Sequence, residues 1–223
     1  MTTTDTTRPT RRGFTLIDAG REFWRHPSSW MLTVAFAVAI TARLYVGDWR
    51  LTDAAVPVVV LTLFPALEWV IHVFILHWKP RRIGALVVDP LLSRKHREHH
   101  VNPRDVEAVF IPWQALVWVI PLVFAFGFLV SPRLGMGLTY LVVILALGLW
   151  YEWTHYLIHT DYKPKTVVYR AIWRNHRLHH FKNEHYWFTV TSAGTADRVF
   201  RTYPDPATVP TSPTAKNLHA GAC

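Results

Sequence analysis

The chain has 223 residues, of which 51% are hydrophobic and only 17% are charged. Soluble proteins carry about 25% charged residues, so the composition argues against a soluble domain and favours a single membrane domain, with 11 Trp and 12 Phe available for its interfaces. The net charge of +9 indicates contact with anionic lipid rather than nucleic acid, and the single cysteine excludes an internal disulfide and a thiolate metal site.

Apolar stretches divide the chain into three regions. The first 13 residues are polar and rich in threonine, and residues 1–28 are predicted to form a disordered N-terminal arm. Four stretches then reach or approach the roughly 20 apolar residues that a spanning helix needs. They are Trp30 to Val46, Ala54 to His77, Ala108 to Val130 and Leu134 to His155. The membrane domain is predicted to cover residues 29–202, and residues 203–223, rich in Pro, Thr and Ala, are predicted to form a flexible tail.

The distribution of basic residues sets the predicted orientation. Four spans place both chain ends on one side of the membrane. Of the 24 Lys and Arg residues, 21 lie on that side, in the N-terminal arm, in the loop 78–107 and after the fourth span. Because basic loops stay in the cytosol, we predict an integral membrane protein with both termini cytosolic.

Ten of the 13 histidines form four clusters, in the order pair, triplet, pair, triplet. The clusters are His72 and His77; His96, His99 and His100; His155 and His159; and His176, His179 and His180. In each half of the chain a Glu-Trp dipeptide near the end of a span precedes the pair, and the triplet follows. All four clusters belong to the cytosolic side, so we predict an all-α, four-helix membrane bundle with a cytosolic helical cap that carries them.

Helix geometry allows the clusters to converge. Residues three and four apart share a helix face, which suits His155 with His159 and the spacing within both triplets. His72 and His77 are five apart and do not share a face of a regular helix. We therefore expect a distorted turn or a helix end at this pair, and His77 fits the predicted ligand set least well.

The clustered side chains predict a two-metal site. Imidazole is a ligand for Fe, Cu, Ni and Zn, and ten imidazoles give two metals about five ligands each. Glu68 and Glu152 are predicted to orient ligand imidazoles by accepting their second N–H. His185 is interpreted either as a similar supporting residue or as a structural one, whereas His26 and His219 are interpreted as ordinary polar residues.

The order of the clusters resembles the fatty acid hydroxylase and sterol desaturase superfamily, from about Glu68 to Pro206. Segments after each triplet resemble fatty acid 2-hydroxylases in particular. These are residues 99–105 (HHVNPRD), 179–183 (HHFKN), 190–192 (VTS) and 197–202 (DRVFRT). The resemblance implies that the ten histidines bind a non-haem dimetal centre, which uses O2 and electrons to hydroxylate an unactivated C–H bond of a lipid acyl chain.

The resemblance also implies cofactors and partners. Because zinc has no redox chemistry, the active enzyme should hold two iron ions, although zinc can occupy a purified form. We find no cytochrome b5 domain in the chain and expect a separate ferredoxin-like or cytochrome b5-like electron donor. The bilayer supplies the lipid substrate. A sterol or lipid desaturase and a carotenoid hydroxylase are the alternatives within the superfamily.

Two alternatives belong to other classes. A b-type haem electron carrier needs single histidines that face each other inside the membrane, and triplets in cytosolic segments do not suit it. A metal transporter needs polar groups along a pore at mid-membrane, whereas the second to fourth spans carry few of them. A Soret band would favour the first alternative, and metal uptake by vesicles the second.

Overall fold

Helices dominate the computed structural model, which describes residues 14–219. The α-helices are α1 (Leu16–Phe23), α2 (Pro27–Val46), α3 (Ala55–Val70), α4 (Leu91–Val101), α5 (Val106–Val109), α6 (Trp113–Val130), α7 (Leu134–His159), α8 (Val167–Phe181) and α9 (Thr195–Val199). A 3-10 turn, Leu51–Ala54, leads into α3, and a π-helical segment, Ile71–Leu76, continues it. The predicted all-α fold is confirmed, with one short antiparallel hairpin in the described residues, β1 (Arg81–Ile83) with β2 (Leu86–Val88).

Four helical stretches are long and apolar enough to cross a membrane. They are Pro27–Val46, Leu51–Leu76, Val106–Val130 and Leu134–His159. Each contains most of one predicted span, so the chain folds as an integral membrane protein. With an even number of spans, both ends of the described chain and the segments that follow the second and fourth spans share one side, which we call the terminal side.

Helix α7 forms the centre of the bundle. It packs against α2, α3 and α6, and Leu141 and Leu145 are buried in the core that α7 shares with α2 and α6. Two glycines bring α6 and α7 close together, because a Cβ atom on Gly137 would lie only 2.9 Å from the carbonyl oxygen of Gly127. The third and fourth spans are thereby held side by side.

A buried ionic network closes the side opposite the terminal side. The Arg43 side chain is only 2% exposed and donates to Asp53 at 2.8 Å and to Thr139 at 2.8 Å. Its guanidinium also lies over the Trp49 ring, 3.5 Å from the centroid. Arg133 pairs with Asp53 as well. The network therefore joins the ends of α2, α3 and α7.

The N-terminal arm is more ordered than the sequence predicts. Thr15 and Asp18 form a reciprocal capping box at the start of α1, because each side chain accepts from the backbone N–H of the other. Phe23, at the end of α1, is buried against Tyr156 of α7. The prediction of disorder is therefore wrong for residues 14–28, and its remainder, residues 1–13, lies outside the described residues.

The predicted flexible tail is a packed segment up to residue 219. We call residues 203–219 the C-terminal strap. Ser212 donates its backbone N–H to the carbonyl of Lys182 at 2.8 Å, and Val209, Ala215 and Leu218 are buried. A segment rich in Pro and Thr lacks the periodic pattern of a helix, but its few apolar residues still anchor it. The last four residues lie outside the described part of the chain.

Candidate metal centre

The first histidine pair lies where the second span changes its helical pitch. The backbone N–H of His77 donates to the carbonyl of His72 at 2.9 Å. This bond links residues five apart and is the π-helical pattern, which inserts one extra residue into the turn. The two imidazole rings consequently lie on one side, with centroids 5.0 Å apart. The predicted distortion of this pair is confirmed, and His77 joins the cluster.

The second pair needs no distortion. His155 and His159 lie four residues apart on the last turns of α7, and their ring centroids are also 5.0 Å apart. The two pairs thus reach the same spacing by different backbone geometry. Each of the two spans therefore places two imidazoles on the terminal side of the bundle.

The two triplets lie on the buried faces of two short helices. Helix α4 carries His96, His99 and His100, and α8 carries His176, His179 and His180. All but His96 among these six side chains are 0% exposed. The charged residues between them, such as Arg97 and Arg177, point away from the cluster, as the spacing of three and four along each helix requires.

The ten histidines form two sets of five. The first set is His72, His77, His96, His100 and His179, and the second is His99, His155, His159, His176 and His180. Within each set, one ring nitrogen per residue lies within 4.8 Å of all the others. The middle histidine of each triplet joins the set whose other four members come from the other half of the chain. His99 of α4 belongs to the second set, and His179 of α8 belongs to the first. Neither half of the chain therefore builds a complete set alone.

The nitrogen atoms in the sets fit a metal better than they fit one another. The Nε2 atom of His96 lies 3.1 Å from the Nε2 atoms of both His72 and His100. One proton cannot satisfy three such atoms. Within the described chain, both ring nitrogens of His99 are buried and have no hydrogen-bond partner. Buried polar atoms without partners are rare and call for an explanation, and a cation at the centre of each set would satisfy the converging lone pairs.

The protonation state of the triplets suits metal binding. Burial, reinforced by the neighbouring His179 imidazole, lowers the pKa of His100 to about 3. Burial likewise lowers the pKa of His99 and of His176 well below the ordinary value, with further lowering by nearby imidazoles. These rings are therefore neutral near pH 7, which is the form that binds metals.

Backbone carbonyls fix the orientation of two imidazoles. The Nδ1 atom of His100 lies 2.8 Å from the carbonyl oxygen of Ala215, and that of His179 lies 2.8 Å from the carbonyl oxygen of Tyr186. Because a carbonyl can only accept, each Nδ1 carries the proton and each Nε2 presents its lone pair to the first set. Sequence reasoning missed both partners, since a backbone carbonyl leaves no signal in residue type.

The two carboxylates in the spans support the site in a different way from the one predicted. Glu68 accepts from the backbone N–H of Thr191 at 3.0 Å and from its hydroxyl at 2.6 Å. Glu152 accepts from the backbone N–H of Ile111 at 3.1 Å. No histidine N–H is among the donors that reach them in the described chain. Instead of the predicted bond to an imidazole, each carboxylate accepts a hydrogen bond from a loop residue and so connects that loop to a span that carries a histidine pair.

The three remaining histidines lie outside both sets. The side chain of His185 is 70% exposed and 3.6 Å from Glu184, so it does not face the cluster. His26 stacks on Phe110 with centroids 3.9 Å apart. His219 donates from Nε2 to the carbonyl of His77 at 3.0 Å, and thereby joins the strap to the end of the π-helical segment.

A buried aspartate holds an aromatic wall against the first set. Asp197 of α9 accepts from the backbone N–H groups of Phe188 and Thr189 at 2.8 and 2.9 Å. The Phe188 ring packs 5.5 Å from the rings of both His72 and His77. Asp197 belongs to the run at residues 197–202 that carries part of the family resemblance, so a signal for this role was present in the sequence.

A small cavity of about 50 Å³ adjoins both sets. His96 of the first set and His99 and His155 of the second contribute to its wall. The other lining residues are mostly apolar: Leu76, Leu92, Lys95, Ala108, Val109, Phe110, Ile111, Pro112 and Tyr151. A hydrophobic group that entered here would touch the histidines of both sets.

Comparisons with known proteins agree with this geometry. The model of the fatty acid hydroxylase family matches residues 57–202. A solved structure of full-length Scs7p, in which only the hydroxylase domain is visible, has 22% sequence identity and a TM-score of 0.63, and the match covers 85% of this chain and 69% of that one. At this identity the likeness shows the fold. No curated protein sequence matches significantly. Because the family match spans more than half of the chain and contains all ten clustered histidines, the chain belongs to the fatty acid hydroxylase family.

Proposed function

We propose that the protein hydroxylates an unactivated C–H bond in the acyl chain of a lipid, with O2 as the oxidant and electrons from a separate protein. One observation carries the proposal: two sets of five buried histidines meet at the ends of apolar spans, beside a cavity with a mostly apolar wall. An apolar substrate and a redox-active metal pair would meet at this place.

The two sets would hold two iron ions. Iron bound by imidazoles supplies the redox chemistry that C–H oxidation needs, whereas zinc has none. The five imidazoles of each set would hold one ion. The neutral state of His99, His100 and His176 supports binding, and the carbonyls of Ala215 and Tyr186 keep the Nε2 atoms of their partners directed inward.

The reaction balance defines what the chain must provide. Hydroxylation of one C–H bond consumes one O2, two electrons and two protons. One oxygen atom becomes the hydroxyl group, and the other leaves as water. The wall residues Leu76, Phe110 and Tyr151 would hold the acyl chain against the histidines and exclude bulk water. Exclusion of water would limit side reactions, so that the electrons are used to oxidise the substrate.

The bilayer would supply the substrate from the side. A groove of about 610 Å³ runs between α3, α6 and α7, and its wall is apolar from Val59 through Leu63 to Leu67, with Phe126 and Ile144 opposite. Leu67 precedes Glu68 and lies little more than one turn before His72. A lipid chain in this groove would therefore reach the level of the histidines without crossing water.

The proposed orientation places the metal centre in the cytosol. The terminal side carries 21 of the 24 Lys and Arg residues, and basic segments remain on the cytosolic side. Electron donors of the ferredoxin or cytochrome b5 kind would then reach the centre from the cytosol.

Product analysis with purified protein tests the proposal. The iron-loaded protein in lipid nanodiscs is reduced anaerobically, freed of excess reductant and exposed to O2, and the lipids are analysed by mass spectrometry. We expect acyl chains that have gained one oxygen atom. Chains that have lost two hydrogens would instead identify a desaturase.

Matched histidine variants connect the product to the two sets. His99→Ala and His179→Ala each remove the residue that crosses between the halves, and each should abolish product. His185→Ala, which removes an exposed histidine, should leave the yield unchanged. Product that persists in both His99→Ala and His179→Ala would show that the clusters are not the oxidation centre.

A further inference from the structure

Helix α8 carries a row of cations on its outward face. Arg170, Arg174 and Arg177 follow one another at intervals of four and three residues, so they lie on one face of the helix. We call these three residues the α8 stripe. Arg170 and Arg174 are exposed, and Arg177 is half-buried. The stripe faces away from the three histidines of the same helix.

The α8 stripe has no acidic partner among the described residues. Helix α8 contains no Asp or Glu. The equivalent triplet helix of the other half, α4, is different: Arg97 pairs with Asp89 at 2.6 Å and Lys95 pairs with Glu98 at 2.6 Å. A histidine triplet therefore does not require unpaired cations on its outer face, and the excess positive charge of α8 needs another explanation.

Aromatic rings hold part of the stripe in place. The Arg177 guanidinium lies 4.7 Å from the Trp173 ring centroid and 5.0 Å from that of Phe181. Lys216 of the C-terminal strap also lies over the Phe181 ring, 5.5 Å from its centroid. Arginine and aromatic side chains are enriched at protein–protein interfaces, and a guanidinium that is already ordered loses less entropy when a partner binds.

The inner face of α8 contributes to both metal-binding sets. His179 belongs to the first set, and His176 and His180 belong to the second. A protein that lies on the stripe would be separated from both sets by one helix, which is about 10–12 Å across with its side chains. A carrier bound at the stripe would therefore lie near the histidines of both sets.

We propose that the α8 stripe is the docking surface for an acidic one-electron carrier protein. The proposal rests on the proposed function, because that reaction takes up two electrons per turnover, and the carrier would be oxidised twice to supply them. Positive charge on α8 and negative charge on the carrier attract each other and orient the encounter. Anionic lipid headgroups would also meet the positive charge, but they would not favour the helix that serves both sets over α4.

A binding experiment tests the surface without any turnover. Metal-free and iron-loaded protein in phosphatidylcholine nanodiscs is titrated with two probes, an acidic [2Fe–2S] ferredoxin and the acidic haem domain of a cytochrome b5. The variant Arg170→Glu with Arg174→Glu should raise Kd about tenfold at low ionic strength. Added salt should weaken wild-type binding and should change the variant less. Arg81→Glu with Arg82→Glu, on the exposed hairpin of the same side, is the matched control and should bind as wild type does.

Three results would overturn the proposal. The first is unchanged binding by the α8 variant or an equal loss in the hairpin control. The second is the absence of salt-dependent binding of either probe to the wild-type protein. The third is an α8 variant that binds the carrier normally but, in separate nanodiscs that contain phosphatidylserine, loses the stabilisation that this anionic lipid gives the wild type, because the stripe would then contact the membrane.

Chemical reduction separates this proposal from the proposed function. The iron-loaded α8 variant, reduced anaerobically with dithionite and then exposed to O2, should give as much product per chain as the wild type. Failure of the wild-type protein to oxidise any lipid under these conditions would refute the proposed function, whereas the binding titrations would still decide whether α8 is the docking surface.

Discussion

The backbone N–H of His77 donates to the carbonyl of His72 at 2.9 Å, one residue beyond the reach of an α-helical hydrogen bond. This single bond decides which side chains at the end of the second span face the metal-binding set. In an uninterrupted α-helix, the residue at position 76 would share the face of His72, and the residue at position 77 would turn away.

An exchange of two neighbouring side chains tests the role of the π-helical segment. Leu76→His combined with His77→Leu preserves composition and would create regular spacing from His72. We expect the bound metal to fall to about half of the wild-type amount, because the first set loses the imidazole at position 77, which only the π-helical backbone directs toward the set. Metal content by mass spectrometry provides the measurement.

A conservative variant controls for packing at the same position. Leu76→Met keeps His77 and should retain the wild-type metal content, since Leu and Met have similar volumes. Full metal content in the exchanged variant would mean that this segment can become a regular α-helix and still place a histidine in the first set.

The sequence predicted the spans and the clusters because both depend on local patterns. Apolar length identifies a span, and the spacing of His155 and His159 identifies a shared face. The exchange of His99 and His179 between the sets was not predictable, because it depends on how α4 and α8 cross in space. Composition also misjudged the C-terminal strap, where a few buried side chains and backbone bonds produce order without any helical period.

The C-terminal strap depends on a buried carboxylate. Glu184 is 2% exposed and accepts from the hydroxyls of Thr214 at 2.5 Å and Ser212 at 3.0 Å. Thr214→Val removes one donor and leaves the carboxylate short of partners. We expect the free energy of unfolding to fall by about 1–3 kcal/mol, measured by denaturant titration in detergent.

The same substitution should affect the metal-binding set. Thr214 adjoins Ala215, whose carbonyl orients His100, so movement of the strap should weaken metal affinity by about tenfold in a chelator competition assay. Thr208→Val removes an exposed threonine hydroxyl of the strap and serves as the control, with wild-type affinity expected. Unaltered affinity in Thr214→Val would show that the His100 orientation does not depend on the strap.

The network on the opposite side of the bundle should contribute to stability rather than to activity. Arg43→Met leaves Asp53 buried with Arg133 as its remaining cation. We expect a loss of about 3 kcal/mol in the free energy of unfolding, because the buried Asp53 carboxylate loses one of its two cationic partners and the hydrogen bond from Arg43. Arg50→Ala, which removes an exposed partner of Asp48, should change stability by less than about 0.5 kcal/mol.

Measurements of metal content and lipid oxidation test whether the Arg43 network affects stability alone. Arg43→Met should keep the wild-type metal content and the wild-type yield of oxidised lipid at temperatures where it remains folded. Loss of bound metal in the folded variant would contradict the view that this network acts only on packing of α2, α3 and α7.

The metal-free protein should lose stability as the pH falls below about 6.5, the ordinary pKa of histidine. Burial lowers the pKa of His100 to about 3, so between these values the unfolded chain binds a proton that the folded chain excludes. The unfolded state therefore holds more protons, and the free energy of unfolding decreases as the solution becomes more acidic. Each such histidine contributes a slope of about 1.4 kcal/mol per pH unit across this window.

Thermal unfolding of metal-free protein between pH 8 and pH 5 measures this slope, and substitutions identify its source. His100→Leu should make the dependence shallower, because one buried ring no longer resists protonation. His185→Leu should leave it unchanged, since that side chain is open to solvent before and after unfolding. A melting temperature that stays constant or rises on acidification would show that the clustered imidazoles take up protons in the folded state, and would refute the neutral ligand sets on which metal binding depends.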